Sequence, residues 1–268
     1  MAITNMDQLV AALGRDTGNT PEHESFHKAS ATSKGAGTYH SLWAVGGQPG
    51  AAAYPGASVA WSLLTKATAG SPDYTNPTSA NTYLAHLSAV GSVGHNLILY
   101  DRLAQTGALT GTTTANTFTG QPTLTRTADA LGADVELWIE YITATTTSVT
   151  VTATYTDQAG ATGNSATVVS AAASAAGQMQ PFNLAAGDTG VRSVQSDAHA
   201  TMTAGTYQLV LMRRLAEIPI PVTNSGNVLD AFDLGMPRVY DDSCLALMMV
   251  SGAVATGIIH GSVLLAKG

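Results

Sequence analysis

Residues 148 to 169 constrain this chain more than any other stretch. Ser148-Val149-Thr150-Val151-Thr152-Ala153-Thr154-Tyr155-Thr156 alternates β-branched and small residues, Asp157-Gln158-Ala159-Gly160 supplies a turn, and Ser165-Ala166-Thr167-Val168-Val169 returns. Period-two alternation sends successive side chains to opposite faces of a strand and builds no apolar stripe on a helix. The segment therefore reads as an antiparallel hairpin. A lone hairpin is not stable in water, so the rest of the chain has to supply strands that cover its apolar face.

Such strands are legible elsewhere. Leu97-Ile98-Leu99-Tyr100 is a short buried run, and Val135 to Tyr141 alternates apolar with acidic residues. Val191 to Gln195, Thr206 to Met212, Cys244 to Ser251 and Gly257 to Leu265 follow, with turn signals between them. No long helices alternate with these strands, which argues against a parallel sheet. The expected fold is mainly β, an antiparallel β-sandwich of jelly-roll type. One short helix is expected at Met6 to Leu13, stopped by Gly14. Residues 14 to 58 are rich in Gly, Pro, Ser and Thr and poor in large apolar groups. Residues 1–58 are accordingly read as an extended N-terminal arm carrying the helix, and 59–268 as the sandwich domain. Tyr39, Trp43, Tyr54 and Trp61 are spaced along the arm and its junction so that they could plug successive surface pockets.

Composition narrows the function. Charged residues make up 11% of the chain, against about 25% in an ordinary soluble protein, while 45% are hydrophobic. Much of the surface must then be small, neutral and weakly solvated, which suits a protein that covers surface in an assembly. The net charge of −7 argues against direct nucleic-acid binding and against an anionic membrane surface, since both demand clustered Lys and Arg. The one adjacent basic pair, Arg213-Arg214, follows an apolar run and reads as a strand end meeting solvent. Cys244 stands in an apolar run as a small buried hydrophobe, and a single cysteine makes no disulfide framework. The N-terminus has neither a basic segment nor a continuous apolar one, so no export signal is expected, and no apolar run is long enough to span a bilayer. Asn76 is followed by Pro77, so Asn76 to Thr78 is no glycosylation acceptor.

Three arrangements imitate active sites. His23-Glu24-Ser25-Phe26-His27 matches H-E-x-x-H, in which two His one helical turn apart bind Zn²⁺ while the Glu activates water, and Thr20 and Pro21 could start such a helix. Its context fails, because Phe26 is the sole large apolar group, Ser30 and Ser33 replace the extended motif's Gly and His, and His40 is the only nearby spare ligand. A solvated polar turn is the expectation there. Asp16-Thr17-Gly18 and Asp188-Thr189-Gly190 echo the paired loops of aspartic proteases, but neither follows an apolar strand that would desolvate its carboxylate, so both read as turns. Asp241-Asp242, a conceivable Ca²⁺ pair, would point apart on a strand and reads as a solvated loop. No catalytic, cofactor-binding or metal-ligating residue is therefore assigned, and no cofactor is expected.

Four stretches carry a resemblance. Leu97 to Leu103, Val149 to Gly160, Ala186 to Val194 and the region from Cys244 to Leu265 resemble a family of largely uncharacterised virion structural proteins of tailed bacteriophages, over roughly residues 90 to 266. The resemblance implies a non-enzymatic structural role in the virion, of the capsid decoration, cement or minor head type. It transfers no binding residues. The implied partners are phage capsid or other virion proteins, and the shortage of charged surface groups leads to the further expectation of a closed homo-oligomer. A trimer would suit the three-fold positions of an icosahedral lattice. A tail-associated receptor- or glycan-binding module is the alternative from another class, since exposed Trp and Tyr faces make sugar platforms. A zinc hydrolase is a remote third.

Overall fold

The computed structural model describes residues 6–13, 20–29, 35–129, 131–252 and 257–268. Helix α1 (Met6–Leu13) precedes β1 (Glu22–Lys28), β2 (Tyr39–Ser41), β3 (Gly47–Gln48), β4 (Trp61–Leu63), β5 (Thr82–Gly91) and β6 (His95–Thr106). Then come β7 (Leu109–Thr110), β8 (Ala115–Thr117), β9 (Val135–Tyr141), β10 (Thr150–Asp157), β11 (Asn164–Val169) and β12 (Gln178–Pro181). The chain ends with β13 (Val191–His199), β14 (Thr206–Ile220), β15 (Gly226–Leu229), α2 (Ala231–Leu234), β16 (Arg238–Val239), β17 (Leu245–Ser251) and β18 (Ile259–Lys267). The expected mainly β, antiparallel chain with one short N-terminal helix is what the structure contains.

The strands form three layers. An outer sheet runs β15-β5-β18-β1-β3 with β16 also on β5, a small sheet runs β11-β10-β13-β8, and the largest runs β4-β6-β17-β2-β12-β9-β14-β7. In that largest sheet β14 also pairs with β6, along a register from Val210 and Gln105 to Ile220 and His95. This pairing joins β6, β17, β2, β12, β9 and β14 into a ring, a closed antiparallel barrel whose walls have no free edge. Ile98, Tyr100, Trp138, Met179, Val210, Met212 and Met248 fill its inside. Trp138 meets Tyr39 edge-on at a centroid distance of 5.0 Å and Tyr100 at 6.1 Å.

Alternation turns the other side chains of the same strands outward, and each side of the barrel is covered by a sheet. Leu97, Leu99, Ile218, Leu245 and Leu247 pack against Phe26, Leu84, Leu87, Val263 and Leu265 of the outer sheet. Leu137, Ile139, Leu209 and Leu211 pack against Val151, Tyr155, Val168 and Val194 of the small sheet. The long strands β6 and β14 serve both cores, and register shifts at Leu211/Met212 and Arg214/Ala216 fall where β14 passes from one to the other. Sandwich packing thus occurs twice, on two sides of one barrel.

Sheet pairing runs across the boundary expected at residue 58. Strand β1 lies between β18 and β3, and β2 closes the barrel between β17 and β12. Trp43 and Trp61 are 2% and 5% exposed, so these rings fill the chain's own core and are not free to plug pockets elsewhere. The physical reason lies in edges: β18 and β17 each offer unpaired backbone groups on one side, and β1 and β2 from the N-terminal region satisfy them.

Candidate interaction surface

The outer sheet turns one face to the core and one to solvent. On β1, Phe26 and Lys28 are buried while His23, Ser25 and His27 are exposed. Across the sheet His23 pairs with Leu264, Ser25 with Ser262 and His27 with His260, and β5 continues these rows with His86, Ser88 and Val90. Ser88 and Ser262 share a hydrogen bond of 2.9 Å. The rings of His27 and His260 face each other with centroids 6.1 Å apart and planes 25° from parallel. The Ser25 and His27 rows floor a groove of about 450 Å³, walled by Gln48 on one side and by Gly226, Asn227 and Val228 on the other. Among the described residues its lining carries no Asp, Glu, Lys or Arg. Val228, in its wall, is 54% exposed.

Under the groove the face reverses in character. Lys28 is buried, and its ammonium donates to the carbonyl oxygens of Val45 at 3.2 Å and Pro49 at 2.8 Å. Burial pushes its pKa down to about 8. Glu24, on the same side of β1, has its carboxyl pushed upward by burial and by the neighbouring charges of Glu22 and Asp73. Glu22 pairs with Lys267 at 3.1 Å and accepts the Thr75 amide at 2.7 Å.

The small sheet presents a second surface. Its core side holds Val151, Ala153, Tyr155, Ala166 and Val168. Its other side carries Thr152 opposite Thr167 and Ala198, and Thr154 opposite Ser165 and Ser196, with Thr117 beyond Ser196. None of these outward positions is charged.

The H-E-x-x-H residues occupy a strand where a solvated polar turn was expected, and strand geometry separates them. Glu24 points to the face opposite His23 and His27, and four strand residues hold those two His about 13 Å apart. The helical zinc arrangement therefore does not form. His40 lies buried in β2, on another sheet. Asp16, Thr17 and Gly18 lie outside the described residues. Asp188 accepts a hydrogen bond from the Tyr155 hydroxyl, and the amides of Thr189 and Gly190 donate to Gln158 at 3.1 and 3.2 Å, which makes that segment a braced turn. Asp241 and Asp242 are exposed, and Asn76 donates to Asp242 at 2.9 Å. Arg213-Arg214 is a correction: the pair lies within β14 and ends no strand. Arg213 is buried, donates to the Arg238 carbonyl at 2.7 Å and covers the Tyr240 ring, while Arg214 reaches Glu136 at 3.3 Å and Glu217 at 2.9 Å. With these partners an Arg pair is tolerated in mid-strand. Cys244 is fully buried, and burial beside Asp101 pushes its thiol up to about 12.

One cluster has catalytic residue types that sequence order did not suggest. Asn116 donates to Asp197 at 2.7 Å, Tyr207 donates to the other oxygen of Asp197, and His199 Nε2 lies 2.9 Å from the Tyr207 hydroxyl. All four are buried, so the network braces β8, β13 and β14 and offers no surface to a substrate. Among the described residues no three His, Cys, Asp or Glu side chains gather as a metal site. The residues that sequence reading missed are His86, Ser88, His260 and Ser262. Their only signal was period-two alternation in β5 and β18, because a pairing partner more than 170 residues away leaves no local trace.

No family model matches the chain, and no curated protein does. Among solved structures it is similar to that of the Gt strain of infectious bursal disease virus, with 9% identity, 92% of this chain and 79% of that chain covered, and a TM-score of 0.21. The VP2 subviral particle of the same virus gives 9% identity, 92% and 80% coverage, and a TM-score of 0.19. Scores this low do not establish a common fold. No helix among the described residues is long and apolar enough to cross a membrane.

Proposed function

We propose that this chain is a non-enzymatic structural protein of a tailed-bacteriophage virion, of the capsid decoration, cement or minor head type. It acts by associating with its own copies and by binding other virion proteins. The observation that carries this reading is the outward side of the small sheet, where Thr, Ser and Ala stand in register on paired strands with no charge among them. A flat neutral surface of that kind gains from being covered and lacks the polar convergence of a substrate site. The glycan-binding alternative wants exposed aromatic platforms, and Trp43, Trp61 and Trp138 are 5% exposed or less.

The test pairs light scattering after gel filtration with co-sedimentation against particles that lack the protein. A closed homo-oligomer that sediments with the particles is expected, and a trimer would fit three-fold positions on a capsid lattice. A monomer that ignores the particles would sink the proposal.

A further inference from the structure

The groove in the outer sheet holds a pair of histidines that the H-E-x-x-H pattern concealed. His27 of β1 and His260 of β18 are register partners on adjacent antiparallel strands, both exposed, with ring centroids 6.1 Å apart. A late transition-metal ion bound at about 2.1 Å to one nitrogen of each ring would hold the two centroids about 5 Å apart. Side-chain rotation closing the pair by about 1 Å reaches that geometry. The backbone needs no movement, because β18 is fixed on both sides by β1 and β5. Gln48 is the register partner of His27 on β3 and lines the same groove, so a third side chain with an oxygen donor adjoins the pair. Among the described residues no Lys or Arg lines the groove to repel a cation, and no carboxylate lines it to favour a hard one.

We propose that His27 and His260 chelate one divalent late transition-metal ion of the Zn²⁺, Ni²⁺ and Cu²⁺ class. Two imidazoles supply two coordination positions, and water or Gln48 completes the sphere. Neutral imidazole suits these ions and leaves Mg²⁺ and Ca²⁺ unbound. This departs from the sequence reading, in which His23 and His27 were the pair and no metal ligand was assigned.

Isothermal titration of the untagged full chain with Ni²⁺ tests the assignment, with Mg²⁺ as control. One Ni²⁺ per chain is expected, with no heat from Mg²⁺. His27→Ala and His260→Ala should each weaken binding by more than the roughly 10–100-fold that loss of an outer-shell partner costs, and His23→Ala and His86→Ala should leave it unchanged. Thermal melting of each variant without metal shows that the exposed substitutions preserve the fold. The proposal is overturned if the wild type takes up no Ni²⁺, or if folded His27→Ala or His260→Ala binds it as tightly as the wild type.

Discussion

Arg102 and Glu140 face each other inside the barrel at 2.6 Å, with side chains 1% and 0% exposed. Gln208 donates to the same carboxylate oxygen at 2.8 Å, Gln105 accepts from Arg102 at 2.8 Å, and the guanidinium lies 5.1 Å over the Trp43 ring. Removing one member leaves a buried charge with no counter-charge. Glu140→Ala is expected to cost about 3–5 kcal/mol in chemical denaturation, and Arg102→Met combined with Glu140→Leu should recover most of that loss. A single substitution as mild as a surface change would show that water reaches this end of the barrel.

The N-terminal region is predicted to be indispensable to the fold. Deleting residues 1–58 removes β1, β2 and β3, takes Phe26 out of the core and leaves β17 and β12 without the strand that joins them. The truncated chain should be insoluble or melt without a cooperative transition, as calorimetry of the purified product would reveal. A sharp, reversible transition in the truncated protein would instead restore the arm-and-domain division that composition suggested.

Legibility followed the local pattern. Val135 to Tyr141 and the 150–169 hairpin were readable because alternation there is broken only at Trp138 and Val169, and the hairpin's turn carries its own signal in Asp157, whose carbonyl accepts the Gly160 amide. The helix from Met6 to Leu13 was readable by its amphipathic spacing. Strand β1 was not, because Glu22 to Lys28 contains five charged or His residues and only one large apolar side chain. Tertiary pairing to β18 overrides that composition, hiding Lys28 and placing the His on the open face. Barrel closure was equally invisible, since it rests on pairing between β6 and β14 more than a hundred residues apart. The groove inherits both difficulties.

Lys28 should give the fold an alkaline dependence that a substitution removes. Its ordinary value is 10.5 and its folded value about 8. Between those values the unfolded chain binds a proton that the folded chain has lost, so this group's contribution to stability rises with pH across that window. Cys244 and the buried tyrosines act in the opposite sense above about pH 9, because folding holds them protonated. The quantity to measure is therefore the difference between wild type and Lys28→Met. It should move in favour of the wild type by about 1.4 kcal/mol per pH unit between pH 8 and 10. A difference independent of pH would mean that the ammonium reaches water.

Gly261 forms part of the floor of the groove where two strands approach too closely for a side chain. A Cβ there would lie 2.0 Å from the Ser88 carbonyl oxygen and 2.6 Å from the Phe26 ring. Neither the backbone oxygen nor the packed ring can retreat without opening the β5–β18 pairing. Gly261→Ala should destabilise the chain by about 3 kcal/mol, the upper end of overpacking, as read from denaturant midpoints. Loss of Ni²⁺ binding in the same variant would follow from distortion beside His260.

The neutral side of the small sheet should be where copies of the chain meet. Thr154 and Thr167 sit on neighbouring strands, β10 and β11, diagonally across the outward face. Thr154→Lys with Thr167→Glu places one charge of each sign there, which leaves net charge unchanged and puts no like charges side by side. Both positions face solvent in the single chain, so the melting temperature should stay within a few degrees of the wild type. If copies of the chain meet through this face, each interface then has to desolvate two added charges, a penalty of several kcal/mol per buried ion. Light scattering after gel filtration should show the wild type as an oligomer and the double variant as a monomer at the same concentration. An oligomer that survives the double substitution would move the contact to another surface, and the groove of the outer sheet would be the next to charge.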